Sequence, residues 1–338
     1  MNFDYLHLYV KDYSQACRWY QESWGFALTR EHKTPHSQTG VFQQGQILLL
    51  ISAPLGQQGA IADYLSLHPP GIGEVAFQVA HWSAFNEKLA VLGIATTPIV
   101  HPLTEAMGLT FTAWGNVRHS LFPRRQPLDN KAGLGLMAID HVVLNVPKAD
   151  FQAASSWYQT LFKWRVQQRF TITTPYSGLY SEALIDPGEQ IQFNLNCPSN
   201  QHSQIQTFLN HNHGAGIQHV AFRSHSILET IKRLRQNSVA FLSVPRHYYV
   251  RKQQQFTATP RPDHSPHIDW QTLQDLGILV DGEKTHQSSL LLQIFTQPLF
   301  GQSSFFWEII ERCQRATGFG EGNFQALYEA VEAGENSH

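Results

Sequence analysis

The sequence predicts an α+β fold in which four copies of a strand-helix-strands unit are paired into two domains. Three observations carry that prediction. The two halves of the chain open alike, with residues 5–28 (YLHLYVKDYSQACRWYQESWGFAL) beside residues 141–166 (HVVLNVPKADFQAASSWYQTLFKWRV). Each is an apolar strand-like run, then helical spacing ending in Trp-Tyr-Gln (Trp19-Tyr20-Gln21 and Trp157-Tyr158-Gln159), then an aromatic-rich turn. A second match follows in each half: residues 71–94 (GIGEVAFQVAHWSAFNEKLAVLGI) beside 214–239 (GAGIQHVAFRSHSILETIKRLRQNSV). Thirdly, the segments between these matches are short, apolar and bounded by turn residues.

Taken in order, the strand-like segments are residues 45–53 (GQILLLISA), 178–185 (GLYSEALI), 191–196 (IQFNLN), 289–295 (SLLLQIF) and 305–310 (FFWEII). Helical apolar spacing occurs near 82–92, 151–162, 202–211 and 226–237. Residues 130–136 (NKAGLGL) read as a linker between domains at 1–130 and 137–338. Residues 246–271, rich in Pro, Gln and His, read as an irregular surface excursion. From Asn323 the chain has strong helix formers with apolar residues at 324, 327, 328 and 331, the pattern of an amphipathic terminal helix.

Composition narrows the function classes. A net charge of −2 and a charged fraction of 15% argue against a nucleic-acid binder or a polybasic membrane-surface protein, both of which need a concentrated positive field. The apolar runs are far shorter than a bilayer span, so no membrane partner is expected. Cys17, Cys197 and Cys313 are too few and scattered for a disulfide framework. With an N-terminus lacking a basic or apolar leader, the chain reads as reduced and cytoplasmic.

Any single one of the 18 histidines says little, and a solvated or internally satisfied imidazole is the ordinary reading. Position within the repeat lifts two of them. His141 begins the first strand of the second half, and His219 lies in the matching strand of that half's second unit; the first half has Tyr5 and Glu74 there. Glu308 is the third candidate, because strand alternation puts it on one face with Phe306 and Ile310, where a carboxylate needs a partner or a cation. Two His and one carboxylate suit a non-haem Fe(II) site with open positions.

Residues 139–143 (IDHVV), 177–184 (SGLYSEAL), 203–222 (SQIQTFLNHNHGAGIQHVAF), 290–298 (LLLQIFTQP), 305–312 (FFWEIIER) and 318–332 (GFGEGNFQALYEAVE) resemble the 4-hydroxyphenylpyruvate dioxygenase family of the vicinal oxygen chelate superfamily. The likeness covers nearly the whole chain and is densest from 139 to 332. It implies two tandem vicinal-oxygen-chelate domains, each of paired βαβββ units forming an open barrel-like sheet, with a C-terminal gating helix. It further implies Fe(II) held by His141, His219 and Glu308. The implied reaction is oxidative decarboxylation of a 2-oxo acid by O₂, with ring hydroxylation and side-chain migration, giving homogentisate and CO₂.

The resemblance also implies a substrate pocket. Phe295 and Phe324 match aromatics that flank the ring, and Ser181, Asn196, Gln204, Gln218 and Gln293 match the polar lining. Gln293 and Phe295 share a face by alternation, whereas Gln218, adjacent to His219, should face the other way in a regular strand. Phe319, Asn323 and Leu327 match the gate, the alternative being a terminal helix that merely caps the barrel. A homodimer or homotetramer is implied too. Asn194 stands where the family commonly has Pro, and Tyr328 where Phe is usual, so benzylic oxidation as in 4-hydroxymandelate synthase is the alternative outcome. Phe324 favours the ring. A non-catalytic aromatic-binding protein of this fold is a further reading, weighed against by the complete ligand set, and a separate cluster at 263–269 (DHSPHID) lies in the irregular excursion.

Overall fold

A computed structural model describes residues 1–173, 177–258, 267–282, 289–301, 305–314 and 316–323. The first half runs β1 (Asn2–Tyr9), α1 (Tyr13–Glu22), β2 (Ala27–Lys33), β3 (Ser37–Gln44), β4 (Ile47–Pro54), α2 (Ala60–Leu67), β5 (Gly71–Val79), α3 (Trp82–Val91), β6 (Thr97–Val100), β7 (Met107–Thr112) and β8 (Arg118–Pro123). The second repeats the scheme: β9 (Leu136–Asn145), α4 (Phe151–Phe162), β10 (Arg165–Thr173), β11 (Gly178–Ile185), β12 (Gln192–Pro198), α5 (Gln204–His211), β13 (Gly216–Ser224) and α6 (Ile227–Gln236). It then adds α7 (Arg246–Ala258) and α8 (Trp270–Leu276) before β14 (Leu279–Gly282), β15 (Leu290–Phe295) and β16 (Phe306–Cys313).

Each half is one curled eight-stranded sheet, ordered β2-β3-β4-β1-β5-β8-β7-β6 in the first and β10-β11-β12-β9-β13-β16-β15-β14 in the second. The four βαβββ units and their pairing are therefore as the internal repeat predicts. In each sheet the central pair, β1 with β5 or β9 with β13, is antiparallel, while the outer neighbours β4, β8, β12 and β16 join it in parallel.

The convex faces of the two sheets and the helices between them build one apolar core. Leu6, Leu8, Leu49 and Phe77 of the first sheet belong to the same buried cluster as Val142, Leu144, Phe193 and Phe222 of the second. Alternation along β9 and β12 puts His141, Val143 and Asn145, with Asn194 and Asn196, on the opposite, concave face. The first sheet fills its concave face with Tyr5, Val41, Leu48, Leu50 and Phe122.

One expectation is overturned. The segment 246–271 is not an irregular excursion: its described part contains all of α7 and the start of α8. Tyr248, Tyr249 and Lys252 of α7 are buried, and the Tyr248 hydroxyl accepts from the Val280 N–H at 2.8 Å. The helix is seated in the apolar core by two adjacent tyrosines, with Phe256 packed against it, rather than by a stripe repeating every turn, which is why its sequence carries little helical periodicity. The expected terminal helix after Asn323, with Phe324, Leu327 and Tyr328, lies outside the described residues, as do Asp263 and His264; Asp269 caps α8.

Candidate metal centre

Both histidines owe their aim to bulges. Along the β9–β13 ladder, Ile217 pairs with Leu144 and His219 with Val143, so Gln218 is an extra residue on β13; Ala221 pairs with His141 and Phe222 with Ile139, so Asp140 is an extra residue on β9. Ile217 and Val220 both belong to the convex core despite their odd spacing. The inserted residue therefore lets Gln218 join His219 on the concave side, reversing the alternation argument that set them on opposite faces. Matching shifts occur between β1 and β5, so the bulges are a property of the repeat and not of the site.

His141, His219 and Glu308 are all buried, and their ligand atoms lie within 4.8 Å of one another. Both imidazoles present Nε2 to the same carboxylate oxygen, Glu308 Oε2, at 3.2 Å from His141 and 3.6 Å from His219. Donors at right angles around a first-row divalent ion with bonds of ~2.1 Å are about 3 Å apart, so the two distances to Glu308 Oε2 suit such an ion. Phe306 stacks on His219 at 4.7 Å and 15°. Burial opposes a charge on His141, but Glu308 and Asp140 outweigh it and raise the imidazolium to about 9; burial, with His141 beside it, drives His219 well below its usual range. Glu308 and Asp140 thus favour positive charge at His141.

The first half shows what the same scaffold does without a metal set. Glu74 takes the place of His219, and register equates Ser120 with Glu308, because Ala76 pairs with Ser120 as Ala221 pairs with Glu308. Tyr5 donates to Glu74 Oε1 at 2.8 Å, Ser120 donates to the same oxygen, and His7 Nδ1 lies 2.8 Å from Oε2. Burial would raise Glu74, but His7 and then Ser120 hold it at about 2. Gly73, the counterpart of Gln218, leaves room for the Tyr9 ring, which a Cβ would meet at 2.2 Å.

Around the trio, Gln293 donates to Glu308 Oε1 at 3.2 Å, and the Phe295 ring meets Phe306 edge-on at 5.9 Å. Ser181 pairs with Asn196 across β11 and β12, and Asn196 with Asn145 across β12 and β9, a polar row on the concave face. Ser181 Oγ, Asn194 Oδ1, Asn196 Oδ1, His219 Nδ1 and both amide atoms of Asn145 are buried with no hydrogen-bond partner among the described residues. Buried polar atoms are nearly always paired, so this row is built to face a polar ligand. Gln204 opens α5, which packs on Leu179, Phe170 and Ile172 at one end of that face, and so stands at its rim.

The chain returns to the site after β16. Phe319 meets the His141 ring edge-on at 5.3 Å, and Asn323 donates to Gln293 Oε1 at 3.1 Å while accepting from Tyr248 at 2.6 Å. Sequence reading missed Asn145, Asp140, Arg312 and Tyr248. Asn145 was recoverable from the period of two that starts at His141. The others are linked only by pairings between distant segments.

Residues 138–263 match the model of the Glyoxalase/Bleomycin resistance protein/Dioxygenase superfamily. The chain is similar to an uncharacterized protein of Synechocystis sp., 56% identical over 335 residues that cover 98% of this chain and 97% of that one. It is 34% identical over 317 residues to 4-hydroxyphenylpyruvate dioxygenase of Legionella pneumophila, covering 91% of this chain and 87% of the relative. The enzyme of that name from Dictyostelium discoideum is 30% identical over 365 residues, covering 98% and 97%. Among solved structures, a mutant 4-hydroxymandelate synthase from Streptomyces coelicolor superposes with a TM-score of 0.85 at 25% identity, covering 99% of this chain and 98% of that one.

Proposed function

Because this chain belongs to the 4-hydroxyphenylpyruvate dioxygenase family within the Glyoxalase/Bleomycin resistance protein/Dioxygenase superfamily, we propose that it converts 4-hydroxyphenylpyruvate and O₂ to homogentisate and CO₂. The observation that carries the reading is the convergence of both imidazole Nε2 atoms on one Glu308 oxygen, beside a row of buried, unpartnered hydroxyl and amide groups. We assign the iron-binding domain to 137–338 and the metal-free domain to 1–130.

His141, His219 and Glu308 would hold Fe(II), which supplies the reduction of O₂ that is coupled to decarboxylation of the 2-oxo acid. The remaining tasks fall to the protein. Asp140 Oδ1, 3.0 Å from His141 Nδ1, keeps the proton on Nδ1 and the Nε2 lone pair free. Gln293 steadies the Glu308 carboxylate so that Oε2 faces the two histidines. Phe295, with Phe324, offers flat apolar faces to the aromatic ring. Ser181, Asn194, Asn196 and Asn145, with Gln218, offer neutral donors and acceptors, which orient a phenol and an oxo acid without adding a charge that competes for the cation. Phe319, Asn323 and Leu327 exclude water from the reacting centre.

Likeness to a 4-hydroxymandelate synthase structure and the presence of Asn194 on the concave face favour benzylic oxidation as the second reading. The test is anaerobic reconstitution with Fe(II), then 4-hydroxyphenylpyruvate and O₂, with the product separated chromatographically. Homogentisate and 4-hydroxymandelate are isomers, so retention against standards decides, not mass. Homogentisate supports the proposal, 4-hydroxymandelate replaces it with the second reading, and no O₂ uptake by iron-loaded protein refutes both.

A further inference from the structure

The reaction as described does not account for the elaborate bracing of one buried carboxylate. Asp140 is 2% exposed, and besides its contact to His141 it takes two arginines. Arg223 donates from Nε and Nη2 to Oδ2 at 3.0 and 2.9 Å. Arg312 donates from Nε to Oδ2 at 2.9 Å and from Nη2 to Oδ1 at 2.6 Å, a two-point grip on the carboxylate. Its Nη1 then donates to the carbonyls of Ala316 at 3.2 Å and Gly318 at 2.9 Å. One guanidinium therefore joins the carboxylate that orients His141 to the turn that leads into Phe319. The Phe319 ring returns to the His141 ring at 5.3 Å and 88°, closing the circuit.

The first half serves as an internal control. Asp4 occupies the place of Asp140, is 1% exposed, and takes Nε and Nη2 of Arg125 at 3.1 and 2.7 Å. The residue after it is Tyr5, however, and Arg125 Nη1 donates to the adjoining Gln126 carbonyl at 3.1 Å. An Asp–Arg pair at this point thus belongs to the scaffold. Asp4 also has an imidazole beside it, His101 with Nε2 3.2 Å from Oδ2, so what the second half adds is that its imidazole belongs to the trio with His219 and Glu308 and that its arginine reaches a separate turn.

We infer that Arg312 is a positioning residue that couples the turn at 316–319 to the ligating geometry of His141. This rests on the reading of His141 as a metal ligand. His141, unlike His219, has an acceptor for its Nδ1 proton, and loss of such an acceptor typically weakens metal binding by roughly 10–100-fold. Arg312 fixes the acceptor and the turn with the same rigid fork. Metal binding therefore orders the turn, and by reciprocity the ordered turn tightens metal binding.

The experiment titrates metal-free protein with Co(II), followed by its visible absorption, and measures amide hydrogen exchange at 316–319 with and without saturating Co(II). In the native protein, Co(II) should slow exchange at those amides. Arg312→Lys keeps a positive charge beside Asp140 but not the fork; it should bind Co(II) roughly tenfold more weakly and show no slowing when saturated. Arg223→Gln touches the same carboxylate without reaching the turn and should keep the slowing. Native exchange indifferent to bound Co(II), retained slowing in Arg312→Lys, or equal loss in Arg223→Gln would each overturn the coupling. If Arg312→Lys does not fold, the native and Arg223→Gln measurements still decide. Failure of the native protein to bind Co(II) at all removes instead the metal reading beneath it.

Discussion

Asn145 is fully buried with both amide atoms unpartnered, which costs stability of order 1–3 kcal/mol per unsatisfied group unless a ligand repays it. Replacing it with leucine, close in volume and without polar atoms, should therefore raise unfolding free energy by about 1 kcal/mol in the ligand-free protein and lower kcat/KM about tenfold. A destabilised variant with unchanged kcat/KM would make Asn145 a structural residue. Glu308→Gln keeps the shape but removes the charge on which both histidines converge. It should weaken metal binding beyond the ~10–100-fold that loss of a ligand's neighbour costs, with turnover lost and far-UV circular dichroism unchanged. Retained activity with normal iron content would sink the assignment. At this scale the trio was legible, because repeat position singled out two histidines and alternation turned Glu308 inward. Only the facing of Gln218 was misread, because alternation fails at a bulge, and Asp140 and Arg312 were silent because their partners lie 83 and 172 residues away.

Helix α7 shows why an element can matter to the site and stay hidden in sequence. Its contribution is one phenol, Tyr248, whose oxygen accepts from the Val280 N–H at 2.8 Å and donates to Asn323 Oδ1 at 2.6 Å. Asn323 continues to Gln293, and Gln293 to Glu308 Oε1, so a chain of hydrogen bonds runs from a helix read as irregular to the Glu308 carboxylate. Edge strands were hidden for a different reason: β10 alternates exposed and half-buried positions along its whole length, so its apolar content is low although its period is strand-like. Central strands β9, β12, β13 and β16 are apolar enough to be read directly. Tyr248→Phe leaves the Val280 amide without its acceptor and frees Asn323, which should cost about 1–3 kcal/mol in urea unfolding. Because the chain ends on Glu308, kcat should fall as well. A variant as stable and as active as the native protein would show the phenol to be incidental.

The two halves are locked by the repeated Trp-Tyr-Gln helices, each lending its tyrosine to the other sheet. Tyr20 of α1 accepts from Trp307 Nε1 at 2.9 Å, and the Tyr158 hydroxyl of α4 lies 2.9 Å from His119 Nε2. Trp307 and His119 are the residues just before Glu308 and its counterpart Ser120, so the first half buttresses the strand that carries Glu308. The repeat made this pairing of units legible, but no local pattern says which sheet a helix will cover. The consequence is a pH-dependent junction. His119 is fully buried among Phe77, Phe111, Phe162 and Phe193, and that burial lowers it to about 4 from an ordinary value of 6.5. The unfolded chain therefore binds a proton at His119 between pH 6.5 and 4 that the folded chain refuses. Its contribution is complete above pH 6.5 and is lost as pH falls through that window, about 3 kcal/mol in all at 1.36 kcal/mol per unit. Glu74, held at about 2, acts in a lower window, and the opposite trend of His141 cancels when native protein and variant are compared. Urea unfolding of the native protein and of His119→Gln at pH 7.5 and 5 should therefore show a shallower loss of stability in the variant. Parallel losses would mean that His119 is not the buried neutral group holding the halves together.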